Sequence, residues 1–334
     1  MPDPVTSQLC LVTGGTGLIG SHLVQRLRAA GSPVRALVRS GGNTAWLENL
    51  DVELAQGDLC DPQSLIRAVK GASTVFHCGG LVSDWGARSE FHATNVIGTR
   101  NIARAAAKEK IHCFVHLSSA SVYGYPTKGR ISEHAPLRSR RIPYIESKIL
   151  AEQEVWDAVR RDGLKATMLR PVMVFGPRCQ NYVGEVVRHL AAGSMLLLDD
   201  GRHVAGLAYV ENVVDAILQA AATPAALNQA MNVCDDLPVT WKDYIDALAD
   251  GIGAQRVRFS LPTRVAYPVS MAMEGAARVF CRRQRPLLTR LAVLELGQPQ
   301  VYDIGLARQL LGYTPRLPYH EAMQTTLEWV KQNQ

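Results

Sequence analysis

Short apolar runs alternate with stretches of helical spacing through the first half of the chain. Leu9, Leu11 and Val12 make a strand-like run that breaks at a glycine-rich stretch, and apolar residues resume with helical spacing at Leu18, Leu23, Val24 and Leu27. Further strand-like runs lie at 33–38, 52–55, 73–77, 112–118 and 165–169, separated by helical patterns over 62–69, 90–108 and 144–161. Pro62 suits a first helical turn, where its missing N–H costs nothing. Alternation of this kind predicts an α/β fold with a doubly wound parallel sheet. Beyond Gly176-Pro177 it fails. Residues 181–200 and 235–300 read as irregular and richer in proline, arginine and methionine, whereas 208–221 reads as strand then helix. The expected division is a first lobe of residues 1–177, rejoined by 205–233. A smaller lobe of 178–204 and 234–334 would cover the C-terminal edges of the strands, where open α/β sheets bind ligands.

The break after the first strand carries Gly14, Gly17 and Gly20 in Thr-Gly-Gly-Thr-Gly-Leu-Ile-Gly. Glycine there permits a sharp turn, lets backbone approach a pyrophosphate, and seats the helix against the strand. The helix N-terminus presents free N–H groups to the anion. With a strand before it and a helix after it, the motif has the context of a dinucleotide site, with Leu18 and Ile19 on the same turn. A carboxylate about 20 residues further on would mark NAD. None occurs from Val34 through Leu47, and Arg39 stands at the corresponding place. Arginine can pair a 2′-phosphate, which favours NADP(H) over NAD(H); a solvent-facing strand-end arginine is the plainer alternative. Asp58 suits the adenine ring or, as readily, the turn before Asp61-Pro62.

Composition narrows the class without naming a chemistry. Of 334 residues 47% are hydrophobic and 20% charged, an ordinary globular balance. The net charge of +6 has no basic run interleaved with aromatics, which argues against a nucleic-acid partner. Seven scattered cysteines without a CxxC pair point to reduced thiols in a cytoplasmic setting rather than a disulfide frame or zinc site. No secretory leader is expected, and no window reaches the ~20 apolar residues of a membrane span.

The candidate chemistry lies downstream. Tyr144 and Lys148, four apart at the start of a predicted helix, share one face. A lysine ammonium near a phenol stabilises the phenolate, and this is expected to bring its proton transfer toward working pH. Ser119, just past the fifth strand, is placed to donate a hydrogen bond to a substrate oxygen.

The segments TGGTGLIG, GDL (57–59), VFH (75–77), NVIGT (95–99), LSSASVYG (117–124), PYIESK (143–148) and LRPVMVFGP (169–177) together resemble the extended short-chain dehydrogenase/reductase family over essentially the whole chain. The resemblance implies that Tyr144 is the proton donor and acceptor and that Lys148 also bonds the nicotinamide ribose. By the same resemblance Ser119, rather than Ser118 or Ser121, contacts the reacting oxygen, and Asn95 helps position the lysine or a relay water. Leu59, Pro171 and Cys78-Gly79-Gly80 would line the cofactor, the last where the family usually carries alanines.

Trp85-Gly86, Pro286–Arg290 and the ending Tyr302…Ala307…Leu311–Pro315 with Trp329 resemble 3β-hydroxysteroid dehydrogenases and their bacterial relatives. That branch includes sterol-4-carboxylate decarboxylating dehydrogenases and long-chain β-keto-acid reductases. Residues 34–39 are similar to dihydroflavonol reductases, which use NADPH. The implied activity is secondary alcohol–ketone interconversion on an apolar, fairly large small-molecule substrate, 3β-hydroxysteroid-like or a long-chain β-keto acid. A nucleotide-sugar epimerase or dehydratase with tightly held NAD is the alternative. The family also implies a homodimer through helices near 95–108 and 146–160, where Ala103, Ala105, Ala106 and Ala107 would permit close helix approach.

Three features stand outside this set. His112 and His116 share a strand face, with a core role favoured over metal ligation. Residues 264–283 place Val265, Val269, Ala272, Ala276 and Val279 on one helical stripe ending in Arg278, Arg282 and Arg283. Lid or packing against its own lobe is favoured over membrane-surface contact, because Glu274 and the alanines weaken the apolar face. Arg138, Arg140 and Arg141 read as a solvated loop or as contacts for an acidic substrate.

Overall fold

The computed structural model describes residues 8–126, 128–280 and 284–333. In chain order the elements are β1 (Cys10–Thr13), α1 (Leu18–Ala29), β2 (Val34–Val38), β3 (Glu53–Gln56), α2 (Pro62–Val69), β4 (Thr74–His77), α3 (Arg88–Phe91), α4 (Gly98–Glu109), β5 (Cys113–Leu117), α5 (Pro143–Asp162), β6 (Ala166–Pro171) and β7 (Met173–Phe175). They continue with α6 (Val186–Ala191), β8 (Leu197–Leu198), β9 (Leu207–Tyr209), α7 (Val210–Ala222), β10 (Ala230–Val233), α8 (Trp241–Ile252), β11 (Ser260–Leu261), α9 (Thr263–Val279), α10 (Arg290–Gly297), α11 (Gly305–Leu311) and α12 (Tyr319–Gln332).

Seven parallel strands form the main sheet in the order β3-β2-β1-β4-β5-β6-β10. The order reverses between β1 and β4, and that switch point opens the crevice in which such sheets bind ligands. The central strands are buried along their whole length, as helices on both faces require. The segment expected to return does so. β9 pairs with β7, α7 packs on α1, and β10 closes the sheet edge beside β6. One apolar core runs from Val12 on β1 to Tyr244 and Leu248 on α8, so the late segments share the first lobe's interior. The far C-terminus turns back as well: α11 lies on α7 and β10, and Arg316 pairs with Asp215 of α7 at 2.5 Å.

Four expectations need correction. The span 235–300 is not irregular, since it carries α8, α9 and α10. α8 has a Thr240/Asp243 capping box and buries Trp241, Tyr244, Ile245, Leu248 and Ala249, a plain helical period. The long helix around Asn95 begins two residues earlier than expected, and its turn His92–Ile97 is π-helical, which is where Asn95 is swung inward.

α9 reverses its expected face. Val265, Val269 and Val279 are 45%, 42% and 77% exposed, and Ala266, Ser270, Glu274 and Ala277 are buried instead. Glu274 decides this, because its carboxylate takes both the backbone N–H and Nε of Arg290 at the start of α10. Arg282 and Arg283 lie outside the described residues. The alanines of α4 are likewise engaged within the chain. Ala103, Ala105 and Ala106 are buried in its own core, where α4 packs closely on α2 and α5.

Among the described residues Cys60, Cys78, Cys113, Cys179 and Cys234 are free thiols, and Cys281 lies outside them. His116 is buried and stacked on His77, and His112 bonds Ser73. Arg138, Arg140 and Arg141 are exposed on the loop before α5, with Arg140 donating to the Gly124 carbonyl at 2.9 Å. No helix among the described residues is long and apolar enough to cross a membrane.

Candidate active site

A cleft of about 700 Å³ opens at the switch point. Gly14, Gly17, Leu18, Ile19, Gly20, Arg39, Asp58, Leu59, Cys78, Gly79, Gly80 and Pro171 all border it, together with Asn95, Ser119, Tyr144 and Lys148. Gly14 has φ +71°, and a Cβ there would lie 2.7 Å from the Gly79 nitrogen. At Gly20 a Cβ would lie 2.1 Å from the Gly14 carbonyl oxygen. The turn is therefore closed to side chains. α1 begins after Gly17 without a side-chain cap, leaving its first N–H groups for an anion. Gly20→Ala is expected to force the turn apart and weaken dinucleotide binding by on the order of tenfold or more, read by fluorescence titration.

At the cleft's outer end Arg39 is exposed and pairs with no carboxylate. The Asp58 carboxylate accepts the Cys60 N–H at 2.8 Å, so it serves the turn as well as bordering the cleft. The Cys78 thiol is pushed up to about 12 by burial and stays neutral beside Lys148.

Pro143 starts α5 and sets Tyr144 in its first turn, against Ile142, Ile145, Leu291 and Leu294. Burial pushes the Tyr144 phenol up to about 12; the Ser119 and Ser121 hydroxyls pull it down and Glu295 pushes it up. Neither serine closes a full hydrogen bond to the phenol, and Ser119 Oγ accepts the Ser121 N–H at 3.1 Å. Lys148 is buried, with Nζ donating to the Leu117 carbonyl at 2.7 Å. Burial lowers its pKa to about 8 while Glu152 pulls it back up.

Two expectations change here. Burial outweighs any lowering of the phenol's pKa and keeps Tyr144 protonated near neutral pH, ready as an acid. Asn95 does not touch the lysine: it accepts the Leu81 N–H at 2.7 Å and donates to the Leu81 carbonyl and to Ser147. It ties the loop after β4 to α5 one residue before Lys148. Ser118 turns away from the phenol and donates to Glu152 at 2.5 Å.

The profile of the NAD dependent epimerase/dehydratase family matches residues 10–234. The chain belongs to this family. It is 30% identical to a 2-alkyl-3-oxoalkanoate reductase of Shewanella oneidensis over 94% of this chain and 84% of that one. It is 29% identical to a decarboxylating sterol-4-alpha-carboxylate 3-dehydrogenase of Mus musculus over 98% and 92%. Its fold is shared with a dTDP-glucose 4,6-dehydratase from Streptomyces venezuelae solved with NAD bound, at a TM-score of 0.79 and 24% identity over 97% of each chain. The protein is thus an NAD(P)-dependent enzyme of the dehydrogenase/reductase kind, with the extended short-chain architecture that its motifs resemble.

This family member carries site residues that its motifs do not announce. Arg178, with φ +68°, donates to Ser21 at 3.1 Å and Gln25 at 2.8 Å, and its guanidinium lies 4.6 Å over the Trp46 ring. No carboxylate pairs with it among the described residues, and burial pushes its pKa down. Together with Arg39 and the glycine turn, it borders the cleft as a cation available to the phosphates of a dinucleotide. Its position directly after Gly176-Pro177 was the only available signal.

A second cavity, of about 270 Å³, shares Tyr144, Tyr182 and Glu295 with the cleft. Its wall is mainly aliphatic, with Val186, Met195, Leu196, Leu288, Leu291 and Val293. Glu295 comes from α10 and Tyr182 from the π-helical turn Gln180–Glu185, segments whose sequence carries no catalytic motif.

Proposed function

We propose that the chain is an NADP(H)-dependent oxidoreductase that interconverts a secondary alcohol and a ketone on an apolar substrate. The observation that carries this reading is the position of Tyr144, where the glycine-turn cleft meets an aliphatic cavity. Nicotinamide, when bound, supplies or accepts the hydride. The protein's own residues do the rest. Ser119 orients the carbonyl oxygen, and Tyr144 gives its phenolic proton to that oxygen as negative charge develops. Lys148, fixed by its hydrogen bond to the Leu117 carbonyl, would hold the cofactor ribose. The aliphatic wall excludes water and receives a steroid-like or long-chain body.

NADP(H) is favoured because the end of β2 offers Arg39 and no carboxylate. Arg39→Ser is expected to weaken NADP(H) binding by about tenfold and leave NAD(H) nearly unchanged, read from dissociation constants rather than turnover. The activity itself is tested by nicotinamide absorbance. NADPH and NADH would be run with a 3-ketosteroid and a long-chain 3-oxo acid, and the reverse reaction with the matching alcohols. Turnover on neither would sink the reading.

The family match keeps a nucleotide-sugar epimerase or dehydratase as a second reading, which NAD found bound to the purified protein would support and which Arg39 and the aliphatic wall oppose. A homodimer through α4 and α5 in a cytoplasmic setting completes the proposal. It rests on the family resemblance and is checked by light scattering.

A further inference from the structure

We propose that Glu295 selects the substrate. Its carboxyl accepts a hydrogen bond from a hydroxyl or amide N–H close to the reacting carbon, and turns away molecules that carry a carboxylate there. This rests on the 270 Å³ cavity being the substrate site.

Glu295 borders both cavities beside Tyr144, and its backbone is pinned by the Trp241 indole N–H, which donates to the Glu295 carbonyl at 3.2 Å. Its Oε1 accepts the Tyr182 hydroxyl at 3.1 Å and, more weakly, the Tyr125 hydroxyl at 3.5 Å. The other oxygen, Oε2, takes no hydrogen bond from any described residue. It is an open acceptor beside the aliphatic part of the wall.

Among the described residues no cation answers this carboxyl. The cavity's arginine, Arg285, is engaged by Asp84 at 2.6 Å and Glu185 at 3.1 Å. Lys148 donates to the Leu117 carbonyl and feels Glu152 and Cys78. The remaining titratable groups around Glu295 are Tyr125, Tyr144, Tyr182, Tyr302 and Asp84, and His189 on α6 bonds Ser194. Every group acting on Glu295 is therefore an acid or a hydroxyl. Burial, with Asp84 adding to it, pushes its carboxyl up to about 7, while the two tyrosine donors pull the other way.

A substrate carboxylate at this place would bring a second negative charge into a cavity with no free cation among its described residues, an arrangement that is disfavoured when like charges are desolvated together. A donor would instead satisfy Oε2. The 2-alkyl-3-oxoalkanoate in the name of the Shewanella oneidensis relative is a carboxylate, so the inference separates this chain's substrate from that one.

The test uses ligands that do not react with the bound cofactor form: 3-hydroxydecanoate, 3-hydroxydecanamide and 1,3-decanediol, each titrated calorimetrically into the enzyme–NADPH complex. At pH 8 the amide and diol should bind on the order of tenfold tighter than the carboxylate or better. The gap should narrow at pH 6, where Glu295 takes up a proton. In Glu295→Gln it should shrink to about twofold at both pH values. Tyr182→Phe, which removes one donor, should move the midpoint of the gap to higher pH. Carboxylate binding as tight as the amide at pH 8, or a gap unchanged in Glu295→Gln, overturns the proposal. If NADPH binds and none of the three ligands does, the cavity is not the substrate site, and the functional reading falls together with this inference.

Discussion

Tyr144→Phe should lower turnover by about 10²–10⁴-fold in either direction while changing dinucleotide affinity by less than about twofold. The substitution removes one oxygen from a ring already packed among Ile145, Leu291 and Leu294, so the fold has no reason to respond. What disappears is the proton. With burial pushing the phenol up to about 12, Tyr144 is protonated across the neutral range. Reduction therefore starts from a loaded acid and should be flat across neutral pH as far as this group is concerned. Oxidation needs the phenolate, so its rate should climb as pH rises. Cofactor dissociation constants measured beside steady-state rates separate the proton's loss from damage to the site. Turnover within tenfold of the parent would remove Tyr144 from the chemistry.

The second large effect is on stability, and it comes from behind the active site. Arg170 on β6 and Glu152 on α5 form a bidentate pair, Nε to Oε1 at 2.8 Å and Nη2 to Oε2 at 2.7 Å, with both side chains almost wholly buried. Ser118 donates to the same carboxylate, and the other Arg170 nitrogen donates to Tyr123, which in turn donates to Asn232 of β10. Burial works against the Arg170 charge, but Glu152 outweighs it and the guanidinium is held charged. Glu152→Ala strands that charge in the interior and should destabilise the protein by about 3–5 kcal/mol, measured as a lower urea midpoint. Breaking the exposed Arg256–Asp250 pair should leave the unfolding curve in place. Loss of Glu152 also removes the charge that holds the Lys148 pKa up, so surviving activity should fall off at lower pH than in the parent.

Local pattern carried the first lobe well because its signals are local. The glycine turn, the strand alternation and the Pro143 start of α5 each depend on neighbours within a few residues, and the structure sets them within a residue or two of their expected places. α9 was misread for the opposite reason. Its valine stripe looks like a buried face until Glu274 meets Arg290, sixteen residues further along the chain, and turns the helix over. The close helix approach that the α4 alanines permit is used within the chain's own core.

The amino-acid sequence by itself determined the doubly wound sheet, the dinucleotide turn at Gly14, Gly17 and Gly20, the absence of a carboxylate near Arg39, and the Ser119, Tyr144 and Lys148 set. These are short-range patterns whose geometry follows from backbone stereochemistry. Only the tertiary structure decided the electrostatics of the site. Tyr144 is governed by burial rather than by Lys148, because desolvation depends on everything packed around a group and not on the residue four positions along. The same holds for the cavity that receives the substrate. Its wall is drawn from β4's loop, the π-helical turn at 180–185, α6 and α10, and Glu295 and Arg178 reach the site across gaps of more than thirty residues from the motifs they serve.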